Sequence, residues 1–201
     1  MTGGRRLLAC VALAGVISGG ATLAGDAWLA AKAALARRLI DRALDASLAD
    51  GRAHRPWEWA DTWPVASLDV PRLGLRRVVL AGASGSSLAF GPGLLDGTAP
   101  LDGPGQSVVA GHRDGSFAFL AELRVGDEIV VRTPTGARFW RVDDLAVRAM
   151  DDARALVPLG PDQLTLVTCW PFGGLTHSHW RYVVRCLPLG GPPIGDTGGR
   201  E

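Results

Sequence analysis

The sequence is poor in cysteine and has no marked excess of charge of either sign. Three cysteines among 201 residues are too few for the disulfide framework of a small secreted scaffold. The 21 basic residues nearly balance the 20 acidic ones, so nothing indicates a nucleic-acid partner or a polybasic membrane patch. No internal repeat is visible, and no acidic cluster has the ligand spacing of a calcium loop. The length allows one domain with an anchor or a tail.

Glycine and proline are plentiful, at 40 of the 201 residues. Turn-forming residues scattered so widely favour short strands over a helical bundle. From residue 66 onward, turn signals separate apolar or alternating runs at 66–71, 76–81, 106–112, 127–132, 137–148, 163–169 and 181–187. Two short helical pieces are expected near 84–89 and 116–123. Seven or eight short strands over about 120 residues predict an all-β fold, either a closed barrel or a sandwich.

The first 25 residues form a distinct segment. Behind Arg5 and Arg6, residues 7–25 are nineteen uncharged positions, close to the ~20 that a membrane-spanning helix needs. Arginines on this side predict a cytoplasmic N-terminus and an exported remainder, which faces the periplasm in a Gram-negative cell. A cleaved signal peptide is the alternative, because the second half of the segment is rich in Gly, Ala and Ser.

The rest of the chain divides by composition. Residues 26–50 carry Leu and Ala at helical spacing between Gly25 and Gly51, which predicts an amphipathic helix or stalk. The expected organisation is an anchor or signal segment at 1–25, a helical stalk and linker at 26–63, a β-rich domain at 64–188 and a tail at 189–201. The tail has too little apolar content to pack, so it is expected to be disordered.

Three residues of complementary chemistry stand at the ends of predicted strands. Cys169 ends one apolar run, His112 ends another, and Arg181 opens the last strand. If 163–169 and 181–187 pair as an antiparallel hairpin, Cys169 and Arg181 lie near one another at its open end. Two strand ends and one strand start then converge on one rim of the fold.

This trio suits acyl transfer through a thioester. A thiol has a pKa near ~8.5, and an adjacent cation favours the reactive thiolate at neutral pH. A neighbouring imidazole can protonate the leaving amine of a cleaved peptide bond. A guanidinium can bind the substrate carbonyl or stabilise the oxyanion that develops on it, and it stays charged throughout.

The motifs around these residues resemble those of a known family. TLVTC at 165–169 matches the TLxTC signature of sortases, and GHRD at 111–114 is similar to their histidine loop. Arg181 follows the cysteine at the expected distance, at the start of a strand. Two longer stretches, VPRLGLRRVVLAGASGSSLAFGPGLLDGT and VVAGHRDGSFAFL, resemble the sortases of Gram-negative bacteria known as class GN. The likeness covers about residues 66–187.

The resemblance implies an eight-stranded sortase-type β-barrel at 64–188 and a cysteine transpeptidase activity. Sortases cut a C-terminal sorting signal of LPxTG type, hold the protein as a thioester and pass it to an amine. The resemblance then implies Cys169 as the nucleophile, His112 as general acid and base, and Arg181 as the cation that stabilises the oxyanion or positions the substrate. Thr168 is a further candidate for substrate binding or oxyanion stabilisation.

The implied partners follow from the same resemblance. They are the sorting signal of a dedicated exported target protein, an amine acceptor and the inner membrane, reached through a single N-terminal span. No cofactor, metal or nucleic acid is expected. Two other functions remain open: a cysteine peptidase that only hydrolyses, and a non-catalytic envelope barrel that serves either as an adaptor or as a zinc site, with Cys169, His112, His177 and His179 as the ligands.

The remaining candidates have plainer interpretations. Cys186 is expected to be a buried structural thiol, too far along its strand to form a disulfide with Cys169. Cys10 lies in the predicted membrane segment and is expected to be inert. Arg113 is interpreted as a surface or groove charge. Asp114 either orients its loop through the backbone or steers the imidazole of His112.

Overall fold

The N-terminal part of the chain is one long helix. The computed structural model describes residues 2–152, 161–174 and 179–190, without the side chains of residues 2, 3 and 5–23. Helix α1 (Thr2–Asp50) continues through Gly25, where the sequence had predicted the start of a separate helix. An interior glycine costs a helix about 1 kcal/mol relative to alanine, and the surrounding Ala and Leu residues favour the helix enough to offset that cost.

The predicted membrane span receives no support from the structure. Within the part of the chain that is described, no helix is both long enough and apolar enough to cross a bilayer. Most of the segment on which the prediction was made, including Cys10, has side chains outside that part.

The end of α1 belongs to the folded domain. The chain forms two compact units, residues 1–38 and residues 39–201. In the second unit the helix buries one face, formed by Ile40, Ala43, Leu44 and Ser47. Gly51 then ends the helix with a φ of 75°, and its N–H donates to the carbonyl of Ser47 at 3.0 Å. The last turns of the predicted stalk are therefore part of the domain's packing.

The β-domain is a closed barrel of eight strands, which settles the choice between barrel and sandwich. The strands are β1 (Pro64–Val70), β2 (Leu75–Ala81), β3 (Gly93–Leu94), β4 (Gln106–Ala110), β5 (Glu128–Thr133), β6 (Gly136–Ala149), β7 (Gln163–Trp170) and β8 (Trp180–Pro188). Their order around the barrel is β1-β2-β3-β4-β7-β8-β6-β5. Pairing of β5 with β1 closes the barrel, and closure removes the exposed edges of an open sheet.

In the described part of the chain, three short helical turns interrupt the strands. They are α2 (Gly85–Leu88) and the 3₁₀ turns Pro71–Leu73 and Ala118–Glu122. Helix α2 and the turn at Ala118–Glu122 fit the two helical pieces expected near 84–89 and 116–123. The turn at Pro71–Leu73 was not predicted. Strand β3 was not predicted either, because two residues carry no alternating pattern.

Alternation along the strands separates the core from the outer face. Leu164 and Leu166 of β7 lie in the core, as do Val184 and Cys186 of β8. Since successive side chains of a strand point to opposite faces, the odd-numbered residues at the same level of these strands lie on the face away from this core, where Thr165 and Val183 are also buried. Residues 191–201 of the predicted disordered tail lie outside the described part.

Candidate active site

The hairpin predicted for the last two strands is present. Strands β7 and β8 are antiparallel, and Cys169 lies directly opposite Arg181. Directly opposite residues share a face and have Cβ atoms about 4.5–5.5 Å apart. The pairing therefore places a thiol and a guanidinium-bearing side chain next to each other on the outer face, at the open end of the hairpin.

His112 lies at the same edge, just after β4, which is the other strand that neighbours β7. Strand β4 runs parallel to β7, with Ala110 paired to Val167. His112 follows Ala110 by two positions, as Cys169 follows Val167, so the two residues lie at the same level, His112 just beyond β4 and Cys169 at the last position but one of β7. Beyond the strand, the N–H of Gly111 donates to the carbonyl of Val167 at 3.1 Å, which extends the pairing towards His112.

The turn after His112 is tight and needs glycine at its start. The carbonyl of His112 accepts hydrogen bonds from the N–H groups of Gly115 at 3.2 Å and Phe117 at 3.0 Å. A Cβ at Gly111 would lie 2.7 Å from the ring of Phe117, which is fully buried. Phe117 thus fills the space under the turn, and the turn presents His112 outward, where its side chain is exposed.

The Thr168 side chain is buried and hydrogen-bonded. Its side chain is 2 % exposed, and its hydroxyl donates to the carbonyl of Gly111 at 2.7 Å. This bond joins β7 to the turn that carries His112. The geometry favours a positioning role for Thr168 over the direct substrate contact expected from its place before the cysteine.

Arg181 and its neighbours form a basic edge beside the thiol. Arg181 is half-buried, and its guanidinium donates to the carbonyl of Trp180 at 3.0 Å and contacts the sulfur of Met150 at 2.9 Å. On its other side, Arg181 lies opposite Arg148 of β6. Both guanidinium-bearing side chains are on the outer face, where an anion or a developing negative charge would be attracted.

The loop after Cys169 is ordered by aromatic packing. The peptide bond between Trp170 and Pro171 is cis. The rings of Trp170 and Tyr182 stack with centroids 5.7 Å apart, and Phe172 packs edge-on to both, at 5.5 and 5.1 Å. Burial raises the pKa of the Tyr182 hydroxyl. The aromatic composition of this segment is evident from the sequence, whereas the contact between its two sides depends on the pairing of β7 with β8.

Arg113 makes contacts that its interpretation as a surface or groove charge did not include. Its side chain is only 9 % exposed. It donates to the carbonyl of Pro171 at 3.0 Å and to that of Gly174, and it pairs with the Asp114 carboxylate at 3.1 Å. No local pattern identifies these contacts, because the partners lie 58 and 61 positions apart in the chain.

Cys186, the other cysteine of the barrel, lies in surroundings that make its thiol unreactive. Cys186 is fully buried in the core, as expected, and burial raises the pKa of its thiol strongly. Its partner across the β7–β8 pair is Leu164, five positions before Cys169. Both cysteines are free thiols. Of the two, Cys169 is half-buried and is the one that a reagent can reach.

The metal hypothesis finds no support among the described residues, in which no three His, Cys, Asp or Glu side chains lie close enough to hold an ion. His179 is exposed, and His177 lies outside the described part. A cavity of about 250 Å³ is lined by Gly51, Pro64, Leu101 and Thr133 among others. It lies near the β5–β6 turn, at the far end of β6 from Arg181, and contains none of the candidate catalytic residues.

Comparison with protein families identifies the family of this chain. The family model described as "Sortase domain" matches residues 68–189, from β1 to the end of β8. The chain belongs to the sortase family. The match contains all of the strand ends on which the candidate catalytic residues lie.

The chain is similar to individual sortases in sequence and in structure. It is 25 % identical over 118 residues to Sortase D of Bacillus subtilis (strain 168), covering 58 % of this chain and 60 % of that protein. It therefore spans well under two thirds of the length of the curated relative that it matches. Sortase A from Corynebacterium diphtheriae is similar at a TM-score of 0.59 and 26 % identity, over 68 % of this chain and 65 % of that one.

A third relative extends the likeness in fold. The Sortase D5 transpeptidase of Clostridium perfringens superposes with a TM-score of 0.63 at 21 % identity, over 78 % of this chain and 99 % of that one. At this identity the likeness shows the fold. Sortases of classes A and D thus share the barrel that positions Cys169, His112 and Arg181 here.

Proposed function

We propose that this sortase is a cysteine transpeptidase that uses Cys169 as nucleophile, His112 as general acid and base, and Arg181 as the stabilising cation. The observation that carries the proposal is the direct pairing of Cys169 with Arg181 across β7 and β8, at the level where β4 ends and leads into His112. The partial exposure of Cys169 and the exposure of His112 support access for an extended peptide.

These three groups account for every bond and proton of the acyl transfer. The Cys169 thiolate attacks the scissile carbonyl carbon, a C–S bond forms, and the negative oxygen is stabilised by the Arg181 guanidinium. As the C–N bond breaks, the His112 imidazolium gives its proton to the departing amine. An incoming amine then attacks the thioester, His112 takes up its proton, and the thiolate leaves. Water in place of the amine gives hydrolysis.

The substrate proposed is a C-terminal sorting signal of LPxTG type on a dedicated exported protein. The TLxTC and GHR motifs support the signal class, since they carry the resemblance to sortases. The two longer stretches that begin at Val70 and Val108 support a place in class GN. Membrane anchoring and a periplasmic location are part of the proposal and are supported by Arg5, Arg6 and the uncharged segment 7–25.

The test of the chemistry uses the full chain and a panel of LPxTG-like peptides, with and without an added amine. Mass spectrometry follows cleavage and the acyl-enzyme in the wild type, Cys169→Ala and Cys186→Ala. We expect an adduct on Cys169 that transfers to the amine, none in Cys169→Ala, and an adduct in Cys186→Ala, because the second thiol is buried in the core.

The outcomes separate the candidate functions. An adduct that hydrolyses at the same rate with and without amine would replace the transpeptidase with a peptidase. Absence of any adduct, together with ordinary slow alkylation of Cys169, would leave a non-catalytic barrel. The location is tested separately, by fusing alkaline phosphatase after residue 201 in a Gram-negative host. An inactive fusion would contradict export.

A further inference from the structure

We infer that Arg113 is a positioning residue that sets the spacing between His112 and Cys169. It does so by joining the loop after His112, residues 113–117, to the loop after β7, residues 171–174. This inference rests on the proposed catalytic roles of His112 and Cys169. The resemblance between the sequence motifs assigns no such role to Arg113.

The contacts of Arg113 reach from one loop to the other. Its Nη1 donates to the carbonyl of Pro171 at 3.0 Å, its Nη2 donates to the carbonyl of Gly174, and its Nε faces the Asp114 carboxylate at 3.1 Å. Three directions of one guanidinium are thus used at once. We call the two bonds to Pro171 and Gly174 the Arg113 bridge.

The chemistry of the guanidinium explains why arginine occupies this position. Its planar fork holds donors at fixed angles, so one side chain can serve two carbonyls, whereas lysine offers a single centre on a flexible stem. With 9 % of the side chain exposed, the charge is largely removed from water and needs these acceptors. Loss of the side chain would in turn leave the loop carbonyls without a charge-assisted donor.

The second loop is shaped to receive the bridge. A Cβ added at Gly174 would lie 3.1 Å from Nη1 of Arg113 and 3.1 Å from the carbonyl oxygen of Pro171. Only hydrogen at this position leaves both the guanidinium and the carbonyl in place without a shift of a few tenths of an ångström. The carbonyl of Pro171 also accepts the N–H of Gly174 at 3.3 Å, which folds the loop back onto Arg113.

The bridge acts where strand pairing stops. Up to Gly111, the register of β4 with β7 and the hydroxyl of Thr168 fix one strand against the other. His112 follows immediately, and the chain leaves β7 one residue after Cys169, at Trp170. The Arg113 bridge lies beyond both residues along the chain, so it restrains their spacing in addition to the strand pairing before them. Without it, we expect the imidazole and the thiol to sample a wider range of separations.

The experiment measures alkylation of Cys169 by iodoacetamide against pH in the full chain, resolved by peptide mass spectrometry. It requires no sorting peptide, and Cys186 serves as an internal buried thiol. The variants are Arg113→Gln, Arg113→Lys and Gly174→Ala, with Arg141→Gln as the control, since Arg141 is an exposed arginine elsewhere on the barrel. Circular dichroism melts report folding of each variant.

We expect Cys169 to react with iodoacetamide in the wild type and Cys186 to stay unreacted, because Cys169 is half-buried and Cys186 lies in the core. Arg113→Gln should lower the alkylation rate of Cys169 at neutral pH about tenfold, because a displaced His112 no longer favours the thiolate that reacts. Arg113→Lys should recover less than half of the effect, and Gly174→Ala should change the rate in the same direction. Arg141→Gln should match the wild type.

Each alternative result overturns a specific claim. A folded Arg113→Gln variant with the wild-type profile would overturn the positioning role, and so would a lowered melting temperature without any change in the profile. Full recovery by Arg113→Lys would show that charge alone matters and would overturn the bridge. Equal alkylation rates of Cys169 in the wild type and in His112→Ala would instead overturn the proposed pairing of Cys169 with His112, and the inference with it.

Discussion

At the scale of single residues, a buried hydroxyl supports the candidate site. Thr168→Val removes the donor to the Gly111 carbonyl while keeping the shape of the side chain. An unsatisfied buried carbonyl costs about 1–3 kcal/mol, so the free energy of unfolding should fall by that amount. Because the same bond holds the turn before His112, turnover of an LPxTG-like peptide should fall as well. Urea unfolding and peptide cleavage measure the two effects.

Thr168→Ser provides the matched control, because it keeps the hydroxyl and loses only a methyl group. It should retain most of the turnover. Equal turnover of the valine and serine variants would show that the hydrogen bond to Gly111 does not position His112.

The same scale shows what the sequence was able to predict. Cys169, His112 and Arg181 were identifiable because each stands where an apolar run begins or ends, and the family motifs added their roles. The bridge made by Arg113 and the bond made by Thr168 were not, since each joins residues 57 to 61 positions apart. Those contacts depend on the parallel register of β4 with β7, which no local pattern reports.

At the scale of elements, one ion pair ties a turn to a strand. Arg72, in the 3₁₀ turn after β1, binds Asp127 just before β5 through two contacts of 2.6 and 2.7 Å. The Arg72 guanidinium, together with the N–H of Arg124, lowers the pKa of Asp127 against the opposing effect of burial. The ionised carboxylate is therefore favoured by folding.

This lowered pKa predicts the pH dependence of stability. A carboxyl whose pKa is lower in the folded protein stabilises it above the pH range of the unfolded group, whose ordinary value is 3.8. The contribution is lost as the pH falls through the lower, folded value. Asp127→Asn should cost about 1 kcal/mol at pH 7, and its deficit relative to the wild type should shrink below about pH 4.

Urea unfolding from pH 7 to pH 2.5 measures both effects. The control is Asp151→Asn, a change to an exposed carboxylate in the turn after β6, which should leave the curve unchanged. A deficit of Asp127→Asn that is the same at pH 7 and pH 2.5 would contradict the assignment of this pH dependence to Asp127.

Elements also show where prediction by pattern fails. Alternation located the longer strands within a few residues, but β3 has only Gly93 and Leu94. A Cβ at Gly93 would lie 2.1 Å from the carbonyl oxygen of Gly82, so this strand depends on a close approach of two backbones. Such an approach is a property of the assembled barrel. Likewise, an interior glycine in α1 proved compatible with a continuous helix.

At the scale of the whole molecule, composition narrowed the fold to a barrel or a sandwich, and the motifs favoured the barrel. Closure depends on the pairing of β1 with β5 and of β4 with β7, both between strands distant in sequence. The boundary between stalk and domain was harder to place. The helical pattern continues without interruption from residue 26 to residue 50, although the compact unit begins at residue 39.

That boundary leads to a prediction within a single helix. Leu44 is 0 % exposed in the barrel unit, whereas Leu35 of the same helix is 58 % exposed. Leu44→Ala should lower the free energy of unfolding of the full chain by about 2–5 kcal/mol, because it removes buried methyl groups and leaves a cavity. Leu35→Ala makes the same chemical change at an exposed position and should cost under about 0.5 kcal/mol.

Chains that begin at residue 39 or at residue 51 complete the test: the first should unfold in urea like the full-length barrel, and the second should unfold at a lower urea concentration. Equal midpoints for the two shortened chains, or equal costs for the two alanine variants, would mean that the end of α1 contributes nothing to the stability of the barrel.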